Sequence, residues 1–238
     1  MNHYTEMMTN ISQSEKLSRK GTSRAANLAF SASLLALILV IMLHFLKPEL
    51  FPAEHMLSEY AIGDFGWIMQ LSFFSWAIGC FSLTISLWSA VNSRAGKFGL
   101  VLLFLAGIAL ITGGLFVIDS PYTSPPAKTM HGNLHGLSAM IGLPGQAFAA
   151  LLISYGLRKN PNWNGITRPA ILFAHLCWIS LLLMFVSTFT MMAISEGKFS
   201  GVTGIGWFNR LLLLIYCGWI IIVSIQLLRV KNLRQKTI

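Results

Sequence analysis

Charge is scarce in this chain. Only 11% of its residues are Asp, Glu, Lys or Arg, against roughly 25% in an ordinary soluble domain. Acids are the scarcest, with 8 Asp and Glu beside 17 Lys and Arg. A water-soluble domain that is 55% hydrophobic would lack the polar surface to cover its own core, so lipid is the expected solvent for most of it. Cysteine is nearly missing as well. Cys80, Cys177 and Cys217 all lie inside apolar runs, which excludes a disulfide framework and any C-x-x-C redox or zinc motif. There is no glycine loop with phosphate-cradling spacing, no nucleophile elbow and no nucleic-acid motif. The net charge of +9 would point to nucleic acid in a soluble protein. Here the basic residues sit at the ends of apolar runs, so they are assigned to topology and anionic headgroups, with no nucleic-acid partner.

What the chain has instead is six long apolar runs, with a mean hydropathy of +0.66. They cover about 25–46, 66–91, 98–118, 134–157, 169–194 and 204–229, each near the ~20 residues a bilayer span requires. The expected architecture is all-α: one six-helix transmembrane domain over 25–229, a polar tail over 1–24 and a basic tail over 230–238. The first run is not followed by a small-residue cleavage site, so it reads as an uncleaved helix. Counting by connection, 13 of the 17 Lys and Arg fall in the two tails and in the second and fourth connections, while six of the eight acids fall in the others. By the positive-inside rule this predicts cytoplasmic N- and C-termini and a multi-pass protein of the bacterial inner membrane. The first outer connection, 47–65, carries Pro52, which is expected to open a short interfacial helix with Met56, Leu57 and Tyr60 on its apolar side. In the second span, Ser72, Ser75, Gly79, Ser82 and Ser86 form a stripe of small residues, which reads as helix packing. Trp67 and Trp207 each follow a glycine at a helix start and read as interfacial anchors.

The few chemistry-bearing side chains concentrate on the outer side. Asp119 closes the third span, and His131 and His135 are four apart at the head of the fourth, on one helix face. Two histidines at that spacing plus a carboxylate are a plausible Zn²⁺ set, whose bound water would be acidified to a pKa of about 7. A nearby carboxylate, Glu59 or Glu54, would be its base. The alternative is that both histidines are hydrogen-bonders at a helix start. From His131 the same face continues through Ser138, Gly142 and Gln146 beside Pro144, a pattern that fits either a cavity-lining helix or a kinked packing stripe. Arg210 is the single charge well inside a span. Its burial costs about 2.5–3.5 kcal/mol on insertion scales, so a partner is expected, with Asp119 or Glu59 favoured. If Asp119 pairs with Arg210 it is less free to bind metal. His44, His55 and His175 read as less informative, with His175 expected in the core.

The six-helix plan, Leu57-Ser58-Glu59, Asp119, Thr129-x-His131-x-x-x-His135 and Gly206-Trp207-x-x-Arg210 together resemble domain of unknown function 998. The resemblance covers roughly residues 28–230 and implies an integral membrane protein, mainly prokaryotic, with no established activity. Its motif residues correspond here to Ser58, Glu59, Asp119, His131, His135 and Arg210. Asn209 stands where an acid or amide is expected, so a carboxylate role is absent at that position. A more distant similarity, to the membrane hydrolases that include the alkaline ceramidases, is an analogy that lacks the third histidine.

Three functions follow as expectations. The first is a metal-dependent hydrolase acting on a lipid or amphiphile, with Asp119, His131 and His135 on Zn²⁺, Glu59 as base, and Ser58 and Arg210 binding the ligand. The second is a small-molecule or ion carrier built around the interrupted fourth helix and Gln146. The third is a structural or partner-binding membrane module whose polar cluster only satisfies its own buried groups. Neither the substrate nor the oligomeric state can be read from the residues.

Overall fold

The computed structural model describes residues 3–120, 129–163, 167–194 and 204–235, with 3–20, 192, 194 and 231–235 as backbone only. Six long helices follow one another: α1 (His3–Leu46), α2 (Gly66–Leu87), α3 (Arg94–Leu115), α4 (Met130–Arg158), α5 (Arg168–Ile194) and α6 (Ile205–Gln235). All six contain a stretch long and apolar enough to cross a bilayer. They correspond one for one to the six expected spans.

The ends differ from expectation, for local reasons. The polar stretch expected as a tail over 1–24 continues as helix from His3. Residues 3–20 contain neither proline nor glycine, so nothing in the sequence stops the helix there. α2 stops at Leu87, four residues short of 91, because the N–H groups of Ala90 and Val91 both turn back to Leu87 O. Ser93 then starts α3 early, its hydroxyl accepting from Gly96 N at 3.2 Å. Thr129 does the same for α4, accepting from Gly132 N at 3.1 Å. Both are N-caps that take up a helix-terminal donor. The expected interfacial helix at Pro52 is replaced by a turn on Phe51 O and a short 3-10 helix over Leu57–Ala61. Leu57 and Tyr60, expected to lie on the membrane, are buried in the bundle instead.

Each helix packs against the next, and α6 returns to pack on α1, closing a ring. The small-residue stripe of α2 does serve packing: Gly79 faces Ser33 and Ala29, and Ser72 Oγ donates to Ala36 O of α1 at 3.0 Å. Trp67 and Trp207 are exposed on the outside of the ring. The 47–65 connection lies across one end of the ring, called the lid end below.

Candidate functional site

Arg210 organises the lid end. It lies in the second turn of α6, and its guanidinium donates to four protein acceptors. Nε reaches His44 Nε2 at 2.7 Å, Nη1 reaches His55 O at 2.7 Å and Gly206 O at 2.9 Å, and Nη2 reaches the Tyr60 hydroxyl at 2.9 Å. The expected pairing with Asp119 or Glu59 is not formed. Among the described residues the ion pair within 4 Å is His55–Glu59, at 2.8 Å. The reason is geometric: the lid puts the His55 carbonyl and the Tyr60 hydroxyl on the guanidinium, and Gly206 O and His44 take its remaining bonds. Such charge-assisted bonds are worth about 1.5–3 kcal/mol each, enough in combination to offset the roughly 2.5–3.5 kcal/mol of insertion cost.

Glu59 holds the lid from inside. Its Oε1 accepts from Met56 N at 2.7 Å and its Oε2 from the His55 ring at 2.8 Å, and it is 2% exposed. His55 thus links the carboxylate, through its ring, to Arg210, through its carbonyl. Asn209 Oδ1 accepts from Leu57 N at 2.8 Å, and its Nδ2 points at Met184 Sδ. On the other side, Lys47 Nζ donates to Tyr60 O at 3.4 Å and Ile62 O at 2.5 Å. Tyr60 passes its own proton to Leu50 O at 2.8 Å. Burial pushes the Tyr60 phenol above its ordinary value of 10.0, with Arg210 pulling it back. Gly206 lets the lid approach: a Cβ there would fall on Pro52 O and within 2.7 Å of His55 O. Gly66 does the equivalent job under Ala61 O at the head of α2. The two Gly-Trp pairs therefore share a physical role, as sites where a loop backbone crosses a helix start.

Beneath the lid the ring encloses a cavity of about 220 Å³. Met56, Leu57 and Ser58 roof it, and α2 to α6 form its wall. Half of that wall is Leu, Met, Phe and Ala, and none of its described residues is Asp, Glu, Lys or Arg. Its polar side chains are few. Gln146 is 1% exposed, with Nε2 to Tyr216 O at 3.4 Å and Oε1 accepting only from the Cys80 thiol at 3.9 Å. Ser138 Oγ donates to His135 O at 2.7 Å. The Trp76 indole N–H, on a residue 3% exposed, has no hydrogen-bond partner. Tyr216 also donates to Leu143 O at 3.0 Å, bracing α4 next to Pro144.

The Asp119 stretch is arranged as helix capping. Asp119 Oδ2 accepts from Thr129 N at 2.9 Å and Oδ1 from Thr129 Oγ at 2.5 Å. Both oxygens are engaged at the N-terminus of α4, where a negative charge is favoured. These bonds hold the Asp119 carboxyl below its ordinary value of 3.8. Gly132 is required there, since a Cβ would collide with the Asp119 carboxylate. His135 is buried, and its Nδ1 lies 3.0 Å from Gly113 O and 2.9 Å from Phe116 O, the carbonyls that end α3. Both partners are acceptors, so Nδ1 carries a proton. His131 is exposed, edge-on to Phe116. No group of three His, Cys, Asp or Glu side chains able to hold a metal occurs among the described residues. The donor set of Asp119, His131 and His135 does not fit a Zn²⁺ site, and Glu59, committed to the lid backbone, is not free to act as its base.

Of the residues singled out from sequence, Ser58, His135 and Gln146 meet in the cavity wall, Glu59 and Arg210 meet in the lid, and Asp119 and His131 belong to neither. His44, Tyr60 and Trp76 were missed. A tryptophan in the middle of a span, away from the headgroup belt, was the available signal for Trp76. His44 and Tyr60 carried none. His175, expected in the core, is exposed and shares a hydrogen bond of 3.1 Å with the Tyr155 hydroxyl. The family described as Protein of unknown function (DUF998) matches residues 30–226, and the chain belongs to that family. No curated protein and no solved structure matches the chain.

Proposed function

We propose that this member of the DUF998 family holds a small amphiphile inside its helical bundle, beneath the 56–58 lid, and acts as a carrier or receptor. The charge pattern supports an outward-facing lid in a bacterial inner membrane, and the occupant would then enter from the outer leaflet or the exterior. One observation carries the reading: a cavity of about 220 Å³ between the helices, with a largely apolar lining that has no Asp, Glu, Lys or Arg among the described residues. Packed interiors contain few voids larger than a water molecule. An apolar occupant would supply the contacts that the side chains lining this cavity lack.

The lid supports the same reading. α6 holds it through Arg210 and Asn209, and its own Glu59 and Lys47 brace its backbone. Organic extraction of the purified protein tests the proposal. An amphiphile should be recovered near one per chain from the native protein, and should be depleted in Ala139→Phe, which fills the cavity. Equal recovery from both proteins would refute it.

A further inference from the structure

The chemistry of the cavity wall selects among amphiphiles, given the binding role proposed above. Among the described residues no Asp, Glu, Lys or Arg lines it. Arg210 spends four donors on the lid, its own helix and His44 and is not part of the wall. An ionised headgroup would therefore be desolvated without a partner, which is strongly unfavourable.

The wall nevertheless has two incomplete polar groups. The Trp76 indole N–H can only donate, and it has nothing to donate to. Gln146 Oε1 accepts only from the Cys80 thiol, at 3.9 Å, a weak donor at long range. Trp76 and Cys80 are four residues apart on α2 and so lie on one face, one turn from each other. The two side chains that carry the orphan donor and the under-used acceptor both line the cavity. A hydroxyl group satisfies both: its oxygen takes the indole hydrogen and its proton goes to the amide oxygen. A carbonyl would satisfy only the first. Around them, Met69, Phe73, Leu110 and Leu213 offer only hydrocarbon and thioether.

We infer that the occupant is an uncharged amphiphile bearing a hydroxyl group, which accepts from Trp76 Nε1–H and donates to Gln146 Oε1 within a largely apolar cavity. The cavity is roughly half as large again as the ~150 Å³ cavity that accommodates benzene, so an eight-carbon chain is a suitable probe.

The test compares 1-octanol, octane, octanoate and octylamine as additives to the purified full-length protein in one detergent. The readout is the thermal unfolding midpoint over a concentration series, for the native protein, Trp76→Phe and Ala139→Phe. Octanol should stabilise the native protein at about tenfold lower concentration than octane, and the two ions should not stabilise it. Trp76→Phe should lose the octanol advantage while its response to octane stays the same. Ala139→Phe should lose both responses. Equal action of octane and octanol, a retained octanol preference in Trp76→Phe, or preferred binding of octanoate or octylamine would overturn the hydroxyl assignment and leave the cavity as a binding site. If no additive stabilises the native protein more than Ala139→Phe, the binding role itself falls, and the inference with it.

Discussion

Arg210 and His44 are bonded directly, Nε to Nε2 at 2.7 Å, while His44 Nδ1 lies 2.7 Å from the carbonyl of Val40, one turn back on α1. The histidine hands one nitrogen to its own helix and the other to α6, so it serves as an acceptor for a cation and must be uncharged to do so. Around that pair, the guanidinium reaches the lid through His55 O and Tyr60. One side chain thus ties together two helices and the cover of the cavity.

Removing the guanidinium should release the lid. Arg210→Met leaves His55 O, the Tyr60 hydroxyl and His44 Nε2 without their donor, at a cost of about 2–4 kcal/mol. Arg210→Lys should recover little, because an ammonium cannot serve the same planar fan of acceptors. Hydrogen exchange should accelerate at the amides of Leu57, Glu59 and Ile62, which form the lid's backbone bonds. Unaltered protection at those amides in Arg210→Met would show that the lid does not depend on this side chain.

His44→Phe keeps a ring beside Tyr60, whose centroid is 5.2 Å away, but offers no acceptor. It should cost about 1–3 kcal/mol. Combined with Arg210→Met, the two losses should fall short of additive by about 1 kcal/mol or more, since both remove one bond. A double-mutant cycle on unfolding free energies measures this. Strict additivity would mean that the His44–Arg210 contact contributes nothing.

Asp119 gives an acid-side signature. Its carboxyl is held below its ordinary value of 3.8 by Thr129. A depressed folded-state value means that the carboxylate stabilises the fold above the unfolded value and that this contribution disappears as pH falls through the folded one. The cap should therefore be intact at neutral pH and weaken below about pH 4. Asp119→Asn should lower stability at neutral pH and narrow its gap to the native protein on acidification. Unfolding midpoints between pH 2 and 7 decide this; a gap that stays constant over the range contradicts the assignment.

The two kinds of helical glycine should respond to alanine with opposite signs. Gly136 in α4 has open space where a Cβ would be, so Gly136→Ala should stabilise by about 0.5–1 kcal/mol through helix propensity. Gly206 has the carbonyls of Pro52 and His55 there, so Gly206→Ala should destabilise the protein despite the same propensity gain. Paired thermal unfolding of the two variants is sufficient, and a stabilised Gly206→Ala would remove the close lid contact from the account.

Zinc should leave stability unchanged. With no fitting donor set among the described residues, neither added Zn²⁺ nor a chelator is expected to move the unfolding midpoint, whereas a site-bound ion would raise it by linkage. His131→Ala should be nearly silent. His135→Ala should cost about 1–3 kcal/mol, because the carbonyls of Gly113 and Phe116 lose their donor. A zinc-induced rise that vanishes in His131→Ala would restore the metal reading.

Much of the scaffold was legible residue by residue. The six spans follow from apolar runs alone, since crossing a bilayer is a matter of length and hydropathy. Ser93 and Thr129 are caps that the sequence could announce, although the expected helix starts at 98 and 134 lay four residues too late for both. For Asp119, His131 and His135 the sequence leaves a metal set and hydrogen-bonding histidines both open, because spacing along one helix says which side chains share a face and nothing about what the neighbouring helix presents to them. α3 presents its terminal carbonyls, and those take up His135. Arg210 was recognised as needing a partner, but its partners were misassigned: two of its four acceptors are backbone carbonyls, and every residue has one of those.

What the residues dictate on their own is the plan of six long apolar helices, the need to compensate Arg210 and the scarcity of charge that leaves the described cavity lining without Asp, Glu, Lys or Arg. Those properties depend on local composition against a solvent, and a single strand of residues contains them. Only the tertiary structure decided that the 47–65 connection folds inward as a lid, that His44, His55, Tyr60 and Gly206 converge on Arg210, and that Trp76 and Gln146 face a shared cavity. These arrangements join positions up to 166 residues apart, and they exist only once the ring of helices has closed.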